Sequence, residues 1–148
     1  SVLASPNDID TFRKTGQRRD LNREKFEANK LIDLLKNFDS PASKNISYLS
    51  HIVKVRSRLR AFHPEACMKC ISTDIDNCII FQRGSGEERV YVICNMSEKC
   101  LNIKLLNELD LLELDSTKCL IDNITGSILN VDKFQLNPYQ VVWVSITD

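Results

Sequence analysis

Thr15–Phe26, TGQRRDLNREKF, concentrates three arginines, two acidic residues and an asparagine around only two large apolar side chains, Leu21 and Phe26. Guanidinium groups stay charged at every physiological pH and present a planar fork of donors that matches a phosphate or carboxylate. A loop of this composition can therefore grip an anion or the hydroxyls of a sugar. The same residues also admit a plain structural reading. Arg23 lies one helical turn from Glu27, and Asn22 stands where it could cap a following helix.

Other reactive groups are less organised. Six cysteines (67, 70, 78, 94, 100 and 119) accompany a normal apolar fraction of 43%, a combination that fits free thiols in a reducing, cytoplasmic compartment better than a disulfide scaffold. Cys67-Met-Lys-Cys70 is a solitary CxxC. A structural zinc site needs a second pair at compact spacing and a redox motif needs a helix start behind it, so neither a metal nor another cofactor is expected. His51 and His63 lie on or beside a helix and read as structural, with no nucleophile and acidic partner arranged around them.

Something must position the polar loop. At 148 residues with 27% charged side chains the chain has the composition of a globular protein. No apolar run approaches the roughly 20 residues needed to span a bilayer, and the first residues show neither the basic nor the apolar region of a secretory signal, so no membrane partner is expected. Residues 1–65 carry 13 Lys+Arg against 8 Asp+Glu, and residues 66–148 carry 7 against 12. The basic half has no aromatic residues interleaved with its cations, which argues against a nucleic-acid partner.

The two halves differ in period. Glu24–Phe38 and Ser43–Phe62 have helical spacing; the second carries Ile46, Leu49, Ile52, Val53, Val55, Leu59 and Phe62 on a broad stripe that the first half offers little to cover. From Cys78 the period falls to that of strands: 78–81, 90–94, 101–105, 119–122, 127–131, 134–136 and 141–146, with turn signals at Arg83–Gly86, Asn123–Ser127 and Asn137-Pro138. The expected class is α+β, with helices in 1–65 and a small antiparallel sandwich in 66–148.

Five stretches, taken in order, resemble one family. Asn7-Asp8 and Thr15–Arg23 with Phe26 are similar to the ND…TGxxRxINRxxY segment of sucrose phosphorylases and related glucosyl-transferring phosphorylases of the α-amylase family, glycoside hydrolase family 13. Arg56–Phe62 resembles the end of that family's last barrel helix. Val90–Asn95, Ile121–Gly126 and Pro138–Trp143 resemble strands of its C-terminal β domain. The resemblance implies that Ser1–Ser5 end the eighth strand of a (β/α)8 TIM barrel, that Pro6–Asp39 form the active-site loop with a small helix, and that Ser43–Phe62 form the eighth barrel helix, followed by the β-sandwich. In such a barrel the loops at the strand C-termini build the ligand site.

The resemblance further implies retaining glucosyl transfer from an α-glucoside to phosphate or to a sugar-acid acceptor. Arg19, at the TGxxR position, is the first candidate for phosphate or acceptor contact. Asn22 and Arg23 would organise the loop or assist it, and Asp8 would meet a sugar hydroxyl or one of the arginines. The family's catalytic carboxylates lie on earlier strands, so no catalytic residue is assigned here and the chain alone is expected to be inactive. Glu24-Lys25-Phe26 stands where the family has a Tyr or His, which puts sucrose specificity in question. Without the barrel, the apolar face of helix 43–62 is expected to self-associate. A stand-alone binding or assembly module using the β domain is the alternative reading.

Overall fold

The computed structural model describes residues 3, 7–21, 26–109, 111 and 117–147. The chain forms two compact units, Ser1–Val53 and Lys54–Asp148.

The first unit is helical: α1 (Ile9–Thr15), α2 (Arg18–Leu21), α3 (Ala28–Lys36) and the first part of α4 (Pro41–Arg58), whose last turns fall in the second unit. Asp8 starts α1, its Oδ1 accepting from the Thr11 amide at 2.9 Å, and Gly16 ends it in the left-handed region at φ 67°, where a side chain would be strained. The turn into α4 is stapled by two serines. Ser40 Oγ donates to the Leu34 carbonyl at 2.9 Å and accepts from the Ser43 amide at 3.1 Å, while Ser43 Oγ donates to the Leu35 carbonyl at 3.1 Å.

These contacts are local, and the unit has little interior. Its buried side chains among the described residues are Ser40, Ala42 and Ser43, whereas Phe38 is 83% exposed, Tyr48 60% and Val53 55%. The stripe on α4 is therefore present but uncovered: Leu49 is also exposed, and Ile46 and Ile52 are half-buried.

The second unit is built on antiparallel sheets. β1 (Met68–Ile71), β2 (Cys78–Arg83), β3 (Val90–Asn95), β8 (Val141–Thr147), β5 (Cys119–Asp122) and β6 (Ser127–Ile128) form a six-stranded sheet in that spatial order; β4 (Leu101–Ile103) pairs with β7 (Phe134–Leu136). Ile80, Ile93, Leu120, Val142 and Val144 from the large sheet and Ile103 and Leu136 from the small one meet in a single core with Leu105 and Leu109 of α5 (Leu105–Glu108) and its end. Alternation explains the clean cases: Leu120 and Asp122 are buried while Cys119 and Ile121 are only half-buried.

Several boundaries differ from the sequence expectation for physical reasons. α4 stops at Arg58 because Leu59 turns to φ −97°, ψ 108°, and a 3₁₀ turn over Arg60–Phe62 follows before Pro64. That turn brings the centroid of the Phe62 ring to 4.4 Å from that of Trp143, with the two rings tilted at 45°. The strand expected to run to Leu105 ends at Ile103, because α5 starts at Leu105, and the strand expected over 127–131 keeps only two residues. β1 was not anticipated; as an edge strand exposed along most of its length, it carries no apolar alternation to reveal it. The expected helix from Glu24 begins at Ala28, with Phe26 and Glu27 outside it.

Candidate functional site

The polar stretch in the first unit is a hydrogen-bonded helical hairpin rather than an open loop. The Asp8 amide donates to the Leu21 carbonyl at 2.9 Å, joining the start of α1 to the end of α2. Across the intervening turn the Thr15 hydroxyl lies 2.6 Å from Asp20 Oδ2 and accepts from the Gln17 amide at 3.3 Å, and the Asp20 amide donates to the Gln17 carbonyl at 2.9 Å. Thr15 and Gly16 thus have local duties: one ties the hairpin and the other supplies its left-handed corner.

Arg19 sits in the single turn of α2, exposed, with no hydrogen bond or ion pair to other described residues. Asp8 occupies the same hairpin, where its carboxylate caps α1. The structure therefore brings Asp8 and Arg19 into one small scaffold. Asn22 and Arg23 lie outside the described residues. An exposed guanidinium on a braced turn can bind an anion with little reorganisation, since the backbone beneath it is already fixed.

The motifs in the second unit have a different use. Asp122, 2% exposed, accepts from the Trp143 amide at 3.0 Å and the Ile124 amide at 3.1 Å through Oδ1, and from the Thr125 hydroxyl at 2.8 Å through Oδ2. Asn123 Nδ2 donates to the Trp143 carbonyl at 2.8 Å. Asn95, 1% exposed, donates to the carbonyls of Lys99 at 2.7 Å and Asn137 at 2.8 Å. Arg83 donates to the carbonyls of Ala61 and His63, at 3.2 and 2.8 Å, while Gly84 packs so closely on Ala61 that a Cβ would sit 3.2 Å from its Cα.

The stretches Val90–Asn95, Ile121–Gly126 and Pro138–Trp143 are thus joints of the β unit. Their buried polar groups were missed as such in the sequence. The Asp-Asn-x-Thr-Gly order of an Asx turn at 122–126 was the available signal.

The cysteines do not converge on a redox centre. Cys67 and Cys70 are both exposed, with Cys67 Sγ donating to the Gly84 carbonyl at 3.2 Å and Cys70 on edge strand β1. Burial, then the charges of Glu108 and Cys94, pushes the Cys78 thiol up to about 11, and burial raises Cys94 as well. Both are poor nucleophiles at neutral pH. Among the described residues no group of three or more His, Cys, Asp or Glu side chains could hold a metal ion, and no helix is long and apolar enough to cross a membrane.

With these features in place, the similarities to known proteins become informative. Over 145 residues, 97% of its length, the chain is 34% identical to the glucosylglycerate phosphorylase of Allomeiothermus silvanus. The chain is similar to a C-terminal fragment of glycoside hydrolase family 13. It spans 23% of that phosphorylase. No protein-family model matches the chain.

Solved structures share the fold at low identity. The trehalose-6-phosphate hydrolase of Bacillus licheniformis superposes with a TM-score of 0.52 at 17% identity, over 79% of this chain and 20% of its own. An Anoxybacillus α-amylase gives 0.53 at 17%, over 76% and 24%. The isomaltulose synthase of Klebsiella sp. gives 0.50 at 14%, over 78% and 19%.

Proposed function

We propose that this chain forms the end of the barrel and the C-terminal β domain of a retaining phosphorylase that moves glucose from an α-glucoside to phosphate. Residues 1–65 would complete the (β/α)8 barrel, with the α1–α2 hairpin among the loops that bound its ligand site, and residues 66–148 would form the accompanying β-sandwich. The observation that carries this reading is the 34% identity to a glucosylglycerate phosphorylase along 97% of the chain. Glucosylglycerate is accordingly the first donor to assay, ahead of sucrose.

In this reading the chain contributes binding and architecture, while the reacting carboxylates come from the barrel strands before it. Retaining transfer needs one carboxylate to attack the anomeric carbon and another to protonate the leaving oxygen and then assist the acceptor. Phosphate must be held against its own charge as it approaches the glucosyl-enzyme. Arg19 would supply that hold, with Asn22 and Arg23 organising the hairpin's exit and Asp8 fixing its base. The uncovered face of α4 would pack on the barrel wall; without that wall it would pair with a second copy. Six free cysteines support a reducing, cytoplasmic setting.

The test is steady-state phosphorolysis by the protein that carries this chain together with its barrel. Glucosylglycerate and phosphate should yield glucose 1-phosphate with retained anomeric configuration. Arg19→Ala should lower kcat/KM for phosphate by about 10- to 100-fold, the value of a lost charge-assisted hydrogen bond, and leave the donor's hydrolysis to water largely intact. Equal phosphate use by mutant and parent would remove Arg19 from the site. Failure to transfer glucose from any α-glucoside would overturn the enzyme reading and favour a binding or assembly module.

A further inference from the structure

The second unit holds a cleft of about 430 Å³ whose walls include Lys69, Ser72, Gln82, Arg89 and Tyr91. Strand register explains why these side chains meet. Lys69 lies opposite Gln82 across β1 and β2, and Gln82 lies opposite Tyr91 across β2 and β3, so the three form one row on one face of the sheet. Arg89 precedes Tyr91 by two residues, at the entry to β3.

Among the described residues, two cations and no carboxylate line this cleft. The Nε of Arg89 is shielded from solvent yet has no hydrogen-bond partner among the described residues. A buried charged donor left unmade is among the costlier features a fold can carry. Gln82 is held in place by its own bond, Nε2 to the Gly84 carbonyl at 2.9 Å. The cleft thus has a fixed polar wall, a second cation on an edge strand and an unpaired guanidinium donor.

We propose that this cleft binds an oxyanion, a phosphate or carboxylate group, whose oxygens accept from the Arg89 guanidinium and whose remaining charge is met by Lys69. The site belongs wholly to the β unit and is independent of the role given to Arg19. It gives the β domain a ligand of its own.

Nitrogen-15 NMR of the full 148-residue chain tests this by following the arginine Nε–Hε resonances, with Arg89 assigned by its loss in Arg89→Lys. Sodium phosphate and sodium acetate are titrated separately, with sodium chloride holding the ionic strength constant. A saturable shift of the Arg89 resonance is expected with at least one of them; saturation by phosphate alone assigns a phosphate site, and by acetate alone a carboxylate site. Lys69→Gln, an exposed edge-strand change that spares the fold, should weaken that half-saturation by about 3- to 10-fold. A linear response that chloride reproduces means an adventitious ion only and overturns the proposal. So does an affinity unchanged in Lys69→Gln.

Discussion

The two units solve the same problem in opposite ways. Lys54–Asp148 closes its own interior: strands from both sheets meet over Ile93, Leu120, Leu136 and Val144, and the polar groups trapped there, Asn95 and Asp122, are bonded to backbone. Ser1–Val53 has helices, caps and serine staples, yet leaves Phe38, Tyr48, Leu49 and Val53 exposed. Local hydrogen bonds can specify a helical hairpin, but they do not replace a hydrophobic interior as the main source of stability. We read the first unit as a piece shaped to work against a surface beyond itself, and the second as self-sufficient.

The contrast can be broken most forcefully at Asp122. Asp122→Ala would strip the part-buried Trp143 amide, the buried Ile124 amide and the Thr125 hydroxyl of their acceptor, and we expect a loss of about 3 to 5 kcal/mol in urea unfolding followed by circular dichroism. A loss under 1 kcal/mol would mean that water substitutes for the carboxylate and that the joint is less closed than it looks. Trp143→Ala, at a half-buried ring packed at a tilt against Phe62, should cost about 2 to 4 kcal/mol.

The mirror-image changes in the first unit should do almost nothing to the isolated chain. Val53→Ser or Phe38→Ser is expected to shift its stability by less than about 0.5 kcal/mol, while the same Val53 change in the barrel-bearing protein should cost about 1 to 3 kcal/mol if α4 is covered there. Equal effects in both contexts would show that the face stays open.

A further effect is alkaline. Cys78 is held protonated in the fold, with its titration moved from 9.0 to about 11. Between those values the unfolded chain ionises first, so stability should be full below pH 9 and decline as pH rises toward 11. Cys78→Ser should flatten that decline. At pH 8 a thiol reagent should modify the exposed Cys67, Cys70 and Cys100 well before Cys78.

Sequence legibility followed the same division. β3 and β8 were plain because Val90–Cys94 and Val141–Ile146 combine β-branched runs with turn signals at their borders, and α4 was plain from its stripe. Edge strand β1 was hidden because Met68, Lys69 and Cys70 are all exposed and alternate in nothing. The α1–α2 hairpin was read as a loop because its order comes from specific bonds, Asp8 to Thr11 and Thr15 to Asp20, rather than from periodicity. Arg19 could be singled out from the sequence by its motif, whereas the cleft at Arg89 could not, since it depends on register across three strands.

Amide hydrogen exchange on the full 148-residue chain tests the central contrast most directly. The account expects amides in α3 and in α4 up to Val53 to exchange by low-energy local opening, at least 100-fold faster than those of β3 and β8, whose opening should approach the global unfolding energy. Protection of the first-unit helices equal to that of β3 and β8 would contradict it, because Ser1–Val53 would then be stable without any surface beyond the chain.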